Sequence, residues 1–465
     1  MNQASIRRGK RGGANLLFNG FSFKSHKARP TAMYWRCCNA ACSSRVTTNP
    51  FDPSSVNPNI IISSHTGHNH GQDIELNERL EFMEQMRNAI AVNPTIPIRR
   101  VYDQIASTHT GDAPPFESIE STTKRIRQEN LPPIPRTAND VVINGDWALT
   151  WDMELYLLHL DNHLSVCVFA TDEDLELLST CDTVYVDGTF KTAPMPYKQF
   201  FSVHGRKNNY LLKLACGLLM DKTQVGYQRL FDVLHAKMMN AGLLWAPQFF
   251  ISDFEPAILN SARIAFPGIT ILGCYFHFCQ CLWRQVQALG LAGTFRQNRP
   301  VRHTIKLLMA LGYLPLSFVK IQFNNLRARK TQLLNQFPAL EQFFGYVERN
   351  WIRSSSANPP AIWNVFGRPM DRRTNNSVES FNKHWNMRVG IRRPSLWTFI
   401  RILKDEQTHH QRNVRNMNNG VAPVCRRRRW REHERKIIKL RADLQSGNRN
   451  LPNYWQAITF TVSNN

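Results

Sequence analysis

Short apolar runs alternate with turn residues in the first part of the chain. The runs cover residues 16–23, 33–36, 45–48 and 60–62, and Gly, Pro, Asn and Ser separate them. Runs of this length bounded by turn residues are typical of β-strands. The pattern therefore predicts a small β-rich module.

A helical period begins near residue 74, where one apolar stripe consists of Leu80, Met83, Met86 and Ile90. Further apolar stretches follow at residues 98–105 and 119–126. Spacings of three or four residues place apolar side chains on one helical face. Residues 74–135 are thus predicted to form a helical linker of three short helices that ends in a proline-rich stretch. With Lys124, Arg125 and Arg127 in its last helix, this segment predicts either a helix-turn-helix or a spacer bundle.

Strand and helix patterns alternate from residue 183 onwards. Strands are predicted at residues 183–186, 200–204, 211–220, 249–251 and 270–273, and helices at residues 224–241 and 256–265. This order is typical of an α/β fold in which helices flank a mixed sheet. A helical pattern alone occupies about residues 285–350, and another helix is predicted near Ser377. We expect an α/β core over residues 180–390 that contains a helical insertion, followed by a basic helical tail over residues 391–465.

The composition excludes several classes of protein. The chain has 465 residues, of which 42% are hydrophobic and 20% charged, so it can build the cores of two or three domains and is not intrinsically disordered. No apolar run approaches the roughly 18 residues that span a bilayer, and no secretory signal is predicted. We expect no membrane association and a reducing compartment, where clustered cysteines bind metal more often than they form disulfides.

Positive charge is concentrated near the two ends of the sequence. The net charge is +23; residues 1–51 hold nine basic and no acidic side chains, and residues 388–449 hold 17 basic and 5 acidic ones. Such ends are typical of proteins that bind nucleic acid. The densest run begins with Arg426, Arg427, Arg428 and Arg429. It predicts a DNA clamp, a nuclear import signal or both, and a solvated charged face is the alternative.

Cysteines and histidines near the N-terminus are candidates for a structural zinc site. The preferred ligands are Cys37, Cys42, His68 and His70. His68 and His70 are two residues apart and share a face of an extended segment. Cys38 would point away from Cys37, and His65 is a weaker alternative. A module with so small a core needs an additional stabilising interaction to fold, which favours a bound zinc ion over a metal-free loop.

Three carboxylates are candidates for a second metal site. Asp187 and Asp253 each end an apolar run predicted to be a strand, and Glu379 lies on the polar face of a predicted helix. A carboxylate at the end of a buried strand is held rigidly and faces solvent. Three converging carboxylates can hold two Mg²⁺ or Mn²⁺ ions and cut a phosphodiester. For any one of them alone, capping a helix or ending a strand is the simpler interpretation.

Four motifs in the second half resemble those of the Mutator-like element (MULE) transposase domain. They begin at Asp187, Ser252, Cys274 and Asn375, and they read DGTFK, SDFEPA, CYFHFCQ and NNSVESFN. The resemblance covers roughly residues 180–390 and implies an RNase H-like fold with a helical insertion before the last acidic residue. It also implies a catalytic DDE triad of Asp187, Asp253 and Glu379, and it places the family's Cys-x-x-His signature on Cys274 and His277.

Two interpretations of Cys274 and His277 are equally supported by the sequence. His277 could contact a phosphate or orient water at a catalytic metal, or it could cap a helix beside a packed Cys274. A zinc site that includes Cys279 and Cys281 is disfavoured because their spacing distributes the ligands around a helix. Glu255 is expected to be a first-turn helix residue and not a fourth ligand.

Residues 5–70 resemble the FLYWCH zinc finger. The matching segments are Gly20-Phe-Ser-Phe, Tyr34-Trp-Arg-Cys, Cys42 followed by Arg45, and Gly67-His-Asn-His. The resemblance implies a β-rich module that binds DNA or protein and often precedes a MULE domain. Basic residues without neighbouring acids suit contact with the DNA backbone.

These features together predict a nuclear, DNA-binding DDE-type transposase that cleaves and transfers strands with Mg²⁺ or Mn²⁺ and holds Zn²⁺ in its N-terminal module. Its expected partner is double-stranded DNA at the element termini, and a homo-oligomer is allowed. The rival hypothesis is a domesticated, catalytically silent DNA-binding or chromatin protein derived from such a transposase. An RNase H-like nuclease acting on RNA hybrids is a third alternative, which the basic ends and zinc module disfavour.

Overall fold

The structure, a computed structural model, describes residues 4–8, 13–53, 55, 58–72, 74–161, 166–423 and 428–462. The chain divides into two units, Met1–Ile134 and Pro135–Asn465. No helix in the described ranges is long and apolar enough to cross a membrane. Arg426 and Arg427 of the predicted DNA clamp lie outside the described residues.

Six antiparallel strands form the sheet of the first unit, and each strand pairs with its neighbours in sequence. They are β1 (Ser5–Arg8), β2 (Ala14–Phe18), β3 (Phe21–Arg29), β4 (Ala32–Cys37), β5 (Arg45–Thr48) and β6 (Ile62–His65). The apolar run at residues 16–23 covers the end of β2 and the start of β3. Asn19 and Gly20, with φ values of 51° and 77°, join them in the left-handed conformation that tight hairpins favour. The predicted β-rich module is confirmed.

The core of this sheet is small. Its fully buried members include Leu16, Phe23, Trp35 and Val46. Trp35 Nε1 donates a hydrogen bond to Thr48 Oγ1 at 3.1 Å, so its buried polar atom is satisfied. A core of this size leaves much of the stability of the sheet to other interactions.

Three helices follow in the first unit: α1 (Ile74–Val92), α2 (Ile98–Ala106) and α3 (Phe116–Glu129). The buried stripe of α1 consists of Phe82, Met86 and Ile90, while Leu80 and Met83 are only partly buried. On α3, Lys124 pairs with Glu120 at 2.7 Å and Arg125 pairs with Glu129 at 3.7 Å. The Arg127 guanidinium donates to the carbonyl of Ile96. Lys124 and Arg125 are thus paired within their own helix, and Arg127 ties α3 to the segment before α2.

A seven-stranded mixed sheet lies at the centre of the second unit, in the order β13-β12-β9-β10-β11-β8-β7. The strands are β7 (Leu157–Asp161), β8 (Val166–Phe169), β9 (Thr183–Thr189), β10 (Gln199–Lys207), β11 (Tyr210–Leu219), β12 (Phe249–Ser252) and β13 (Thr270–Gly273). Strand β12 pairs in parallel with β9 and β13, and the other pairs are antiparallel. The predicted α/β class is confirmed. Strands β7 and β8 come from a segment that the sequence pattern left unassigned.

Helices cover both faces of this sheet. Phe200 in β10 contacts Trp385 and Phe399, whereas the next residue, Phe201, contacts Tyr227 and Phe231 on the opposite face. The helices of the unit are α4 (Asp172–Ser179), α5 (Gln224–Asn240), α6 (Pro256–Ala265), α7 (Tyr275–Ala288), α8 (Leu291–Gln297), α9 (Arg299–Ala310), α10 (Leu316–Arg329), α11 (Thr331–Gln336), α12 (Pro338–Val347), α13 (Pro360–Trp363), α14 (Asn376–Val389), α15 (Leu396–Asn418), α16 (Arg428–Gln445) and α17 (Leu451–Val462).

Helices α7 to α12 share a second core with α16 and α17. Tyr454 on α17 donates to the carbonyl of Tyr313 at 2.8 Å, and Trp455 donates to the carbonyl of Leu307 at 3.2 Å. The C-terminal helices therefore pack against the helical region that precedes them. Arg428, Arg435 and Lys439 are exposed on this layer, whereas Arg441 donates to the carbonyls of Phe366 and Arg368.

Candidate functional site

Asp187 and Asp253 lie at the same edge of the second sheet. Strands β9 and β12 are parallel neighbours in which Tyr185 pairs with Ile251. Each aspartate comes two residues after its strand's member of that pair. Adjacent strands lie about 4.8 Å apart, so the register brings the two aspartates side by side.

Glu379 is brought to this edge by the packing of α14. The preceding residue, Val378, is fully buried against Tyr185, Ile251 and Leu272. This contact fixes the first turn of α14 on the sheet, and Glu379 then faces a cavity of about 680 Å³. The residues lining that cavity include Asp187, Lys191, His277, Glu379, Asn382 and Lys383. We call it the carboxylate cavity.

Two hydrogen bonds hold the Asp187 carboxylate. The Gly188 N–H donates to Oδ1 and Asn382 Nδ2 donates to Oδ2, both at 2.8 Å. Burial raises the pKa of Asp187 to about 6, and the charge of Asp253 adds to the rise while the two hydrogen bonds oppose it. A Cβ at Gly188 would lie 2.0 Å from Gln199 Nε2, so a larger residue there would require the buried Gln199 side chain to move.

Glu379 and His277 form the other side of the cavity. His277 Nε2 lies 3.5 Å from Glu379 Oε1. Burial raises the pKa of Glu379 to about 7, with a further contribution from the charge of Asp187, and burial lowers the pKa of His277. Both shifts favour the neutral forms when no cation is bound. Glu379 Oε1 and His277 Nδ1 are buried without a hydrogen-bond partner in the described residues, as suits groups that would meet a cation.

Cys274 joins two elements of the site. It precedes α7, it is fully buried, and its Sγ accepts a hydrogen bond from the N–H of Asn375 at 3.1 Å. Burial raises the pKa of this thiol to about 12. Cys274, His277 and Glu379 offer atoms within 4.8 Å of one another. The Sγ atom holds the start of α14 beside α7, which makes Cys274 a packed residue and leaves His277 facing the carboxylates.

A second cluster lies in the first unit, where Cys37 ends β4 and Cys42 follows it in the loop to β5. Cys37 Sγ lies 3.3 Å from His70 Nε2, Cys42 Sγ lies 3.4 Å from His68 Nδ1, and those two nitrogens are 3.3 Å apart. All four ligand atoms lie within 4.8 Å of one another. Tetrahedral Zn²⁺ with ordinary bond lengths needs N–N and N–S separations of about 3.3 to 3.6 Å. The donor set and its spacing fit a structural zinc ion.

Hydrogen bonds select the free nitrogen of each histidine in this cluster. Nδ1 of His70 lies 2.7 Å from the carbonyl of Gly71, which can only accept, so Nδ1 is the protonated atom and Nε2 is left for metal. The Ser44 hydroxyl donates to the carbonyl of Thr66 at 2.7 Å and can accept from His68 Nε2 at 3.2 Å. His68 Nδ1 is thereby left for metal. Cys38 and His65 are not members of the cluster.

Three contributions to these sites were not predicted. Asn382 orients Asp187, Asn375 binds Cys274, and Ser44 orients His68. The sequence could have indicated Asn382, because it follows Glu379 by three residues and so shares its helical face.

Glu255 is the N-cap of α6 and accepts a hydrogen bond from Tyr227 at 2.9 Å, which agrees with its expected role at the helix start. On α16, Arg428 pairs with Glu432 at 2.7 Å.

Family models match two parts of the chain. The model of the MULE transposase domain matches residues 183–281, and that of the FLYWCH zinc finger domain matches residues 6–70. The first match includes Asp187, Asp253 and His277 and ends before Glu379; the second includes the whole cysteine-histidine cluster. No curated protein matches the chain. The resemblance read from the motifs is confirmed, and the two domains together indicate a transposase-derived DNA-binding protein.

Proposed function

We propose that this protein is a DDE-type DNA transposase that cuts and transfers DNA strands with Mg²⁺ or Mn²⁺. The observation that carries the proposal is the position of Asp187 on β9, where its carboxylate interacts electrostatically with Asp253 after β12 and with Glu379 on α14. Burial, with a smaller contribution from the neighbouring carboxylates, raises the pKa values of Asp187 and Glu379, a cost that a bound cation would remove.

The strand order supports an RNase H-like core for this activity. Strands β9, β10 and β11 form an antiparallel meander, and β12 and β13 continue the sheet in parallel from the other side of β9. The first acidic residue then lies in β9, where the antiparallel and parallel parts of the sheet meet, and the second lies directly after its parallel neighbour β12. Helix α14 adds the third after the helical region, as the resemblance implies.

The side chains around the cavity have complementary roles. Asp187, Asp253 and Glu379 would hold the divalent ions, which supply electrophilic activation of the phosphodiester and of the attacking oxygen. Asn382 keeps the Asp187 carboxylate in one orientation. Lys191 and Lys383 line the same cavity and provide positive charge for the phosphates. His277 Nε2 lies 3.5 Å from Glu379 Oε1 and, in its neutral form, would position this carboxylate.

A row of basic side chains supports DNA contact by the zinc module. Lys24 in β3 pairs with Arg36 in β4, which pairs with Arg45 in β5. Like charges opposite each other on neighbouring strands destabilise a sheet, so this arrangement favours a polyanionic ligand. The alternate residues Phe23, Trp35 and Val46 are buried, which places the basic row on the outer face. We propose that zinc holds this sheet and that the sheet binds the DNA backbone in the nucleus.

The proposal is tested by metal-dependent nicking of a supercoiled plasmid. Wild-type protein should nick with Mg²⁺ or Mn²⁺, and Asp187→Asn, Asp253→Asn and Glu379→Gln should each lower the rate at least about 10³-fold. Asp182→Asn is the matched control, because Asp182 precedes β9 at the opposite end of the strand and pairs with Arg372 at 2.6 Å. It should nick as the wild type does.

DNA binding measured beside nicking separates the two functional alternatives. Salt-sensitive binding that survives in all three carboxylate variants is expected, because the variants leave the basic surfaces unchanged. Binding without nicking under either metal would contradict the transposase and assign the protein to the domesticated, catalytically silent class.

A further inference from the structure

A large groove lies beside the carboxylate cavity in the second unit. Its volume is about 880 Å³, and its lining is mostly apolar and aromatic, including Phe276, Cys279, Trp283, Phe295, Met309 and Trp430. Glu379 and Lys383 line both the groove and the carboxylate cavity. One turn of α14 therefore separates the proposed catalytic centre from an apolar surface that the proposed chemistry leaves unexplained. We call this surface the aromatic groove.

Helix α7 exposes this apolar surface in addition to its buried face. Its core stripe is Tyr275, Phe278, Leu282 and Val286. Phe276, Cys279 and Trp283 repeat the helical spacing on a second face, where a helix packed on one side normally carries polar residues. Phe276 and Trp430 are each 40% exposed. Exposed aromatic side chains grouped in a cavity of this size indicate a ligand-binding surface.

Positive charge accompanies the aromatic side chains. Lys306, Arg373 and Lys383 line the groove, and within the described ranges neither lysine forms an ion pair. Trp430 also lines an adjoining cavity of about 490 Å³ whose walls include Arg429, His433 and Lys436. Aromatic faces next to lysines and arginines are what single-stranded nucleic acid requires, since bases stack on the rings and phosphates meet the cations. An apolar peptide or acyl chain would not use that charge.

We propose that the aromatic groove binds an unpaired nucleotide of the DNA strand engaged at the carboxylates, with its base against the Phe276 and Trp283 side chains of α7 and its phosphate near Lys383. This inference rests on the proposed function, because it takes DNA as the ligand of the neighbouring site. A base withdrawn from the helical stack loses stacking energy, and the groove replaces part of that loss. DNA ends with unpaired nucleotides are thus bound better than fully paired ends.

The test compares the binding of two DNA ligands by the full chain without divalent ions. One is a blunt duplex, and the other is the same duplex with a few unpaired nucleotides at one end. Wild-type protein should prefer the second. Phe276→Ala and Trp283→Ala should each weaken binding of that ligand by roughly 5- to 150-fold and leave the blunt duplex unaffected. Trp283→Phe should retain most of the preference because a phenyl ring still stacks.

Phe318→Ala is the matched control, because Phe318 is 42% exposed on α10 and does not line the groove. It should bind both ligands as the wild type does. A photoreactive 5-iodouracil among the unpaired nucleotides should crosslink to the peptide that carries α7. Equal loss for both ligands, no loss, or a crosslink outside the groove would overturn the inference and favour a protein segment as occupant.

Plasmid nicking measured beside DNA binding distinguishes a failure of this inference from a failure of the proposed function. A wild type that never nicks but still needs Phe276 and Trp283 for unpaired ends would contradict the catalytic proposal and support the groove. A wild type that nicks and binds unpaired ends without these two side chains would contradict the groove alone.

Discussion

The two candidate metal sites of this protein differ in chemistry and in what surrounds them. The cysteine-histidine cluster offers soft sulfur and nitrogen ligands, holds all four within 4.8 Å, and lies in a six-stranded sheet with a small core. The carboxylate site offers hard oxygen ligands, lines an open cavity of about 680 Å³, and lies on a sheet covered by helices on both faces. Four protein ligands leave no position for a substrate, whereas the carboxylate cavity leaves room for one.

This difference shows which site the fold depends on. In the six-stranded sheet the polypeptide supplies little buried apolar surface, so a metal ion can contribute much of the stability of the sheet. In the second unit the core is built without the carboxylates, which repel each other and are partly buried at a cost. Metal should therefore stabilise structure at one site and serve chemistry at the other.

The largest effect is expected when a ligand of the cysteine-histidine cluster is removed. Cys42→Ala or His70→Ala should abolish zinc binding and unfold strands β1 to β6, because structural zinc contributes on the order of 10 kcal/mol to such modules. Zinc content and amide hydrogen exchange of the full chain measure this. Cys38→Ala is the control and should retain both zinc and protection. A sheet that stays protected without zinc would show that its own core suffices.

A smaller effect on activity or zinc affinity is expected when a residue that orients a candidate metal ligand is replaced. Asn382→Ala removes the 2.8 Å hydrogen bond to Asp187 and should lower the nicking rate about 10- to 100-fold without changing the fold. Met387→Ala is the control, because Met387 lines the same cavity and makes no such bond. An unchanged rate in Asn382→Ala would show that Gly188 alone orients the carboxylate.

The corresponding change at the zinc site is Ser44→Ala. It removes the acceptor that lies 3.2 Å from His68 Nε2, so His68 loses its fixed tautomer and zinc affinity should fall about tenfold. Competition with a chromogenic chelator measures the affinity. Ser43→Ala, one residue away and exposed, should have no effect. Equal affinities in the two variants would mean that the cluster selects the tautomer without Ser44.

Local sequence patterns predicted much of the two sites. Asp187 and Asp253 follow apolar strand patterns directly, and His68 and His70 share a face because they are two residues apart. Glu379 was found through its helix and the NNSVESFN motif, although the family match itself ends at residue 281. In each case the informative residues lie within a few positions of one another, where periodicity and turn chemistry are readable.

What the sequence did not reveal depends on contacts between distant segments. Tyr454 and Tyr313, which join α17 to the helical region, are 141 positions apart, so no local pattern could indicate this contact. Strands β7 and β8 were not predicted; β8 joins the sheet by pairing with β11, about 50 positions further along the chain, and β7 pairs with β8. The aromatic groove was not predicted because apolar residues such as Phe276 and Trp283 are compatible with the buried face of a helix. Only the observed buried stripe of α7 shows that they lie on a second face.

The smallest predicted effect concerns the stability of the protein without divalent ions. The folded-state pKa of Glu379 is about 7, above its ordinary value of 4.5, because of burial and the charge of Asp187. The folded state therefore binds this proton more tightly than the unfolded chain does, and the resulting stabilisation is complete below about pH 4.5 and lost as the pH rises through 7. Glu379→Gln should thus stabilise the protein at pH 8, by about 1 kcal/mol after allowance for solvent screening, and have little effect at pH 4. Thermal unfolding at the two pH values measures this, with the exposed Glu176→Gln as a control that should be neutral at both.

Mg²⁺ should stabilise the wild type at pH 8 and should stabilise Glu379→Gln less, since the cation replaces the proton at this carboxylate. An equal effect of Glu379→Gln at both pH values would mean that the glutamate acts through packing, and the contrast between a structural and a chemical metal site would lose its electrostatic basis.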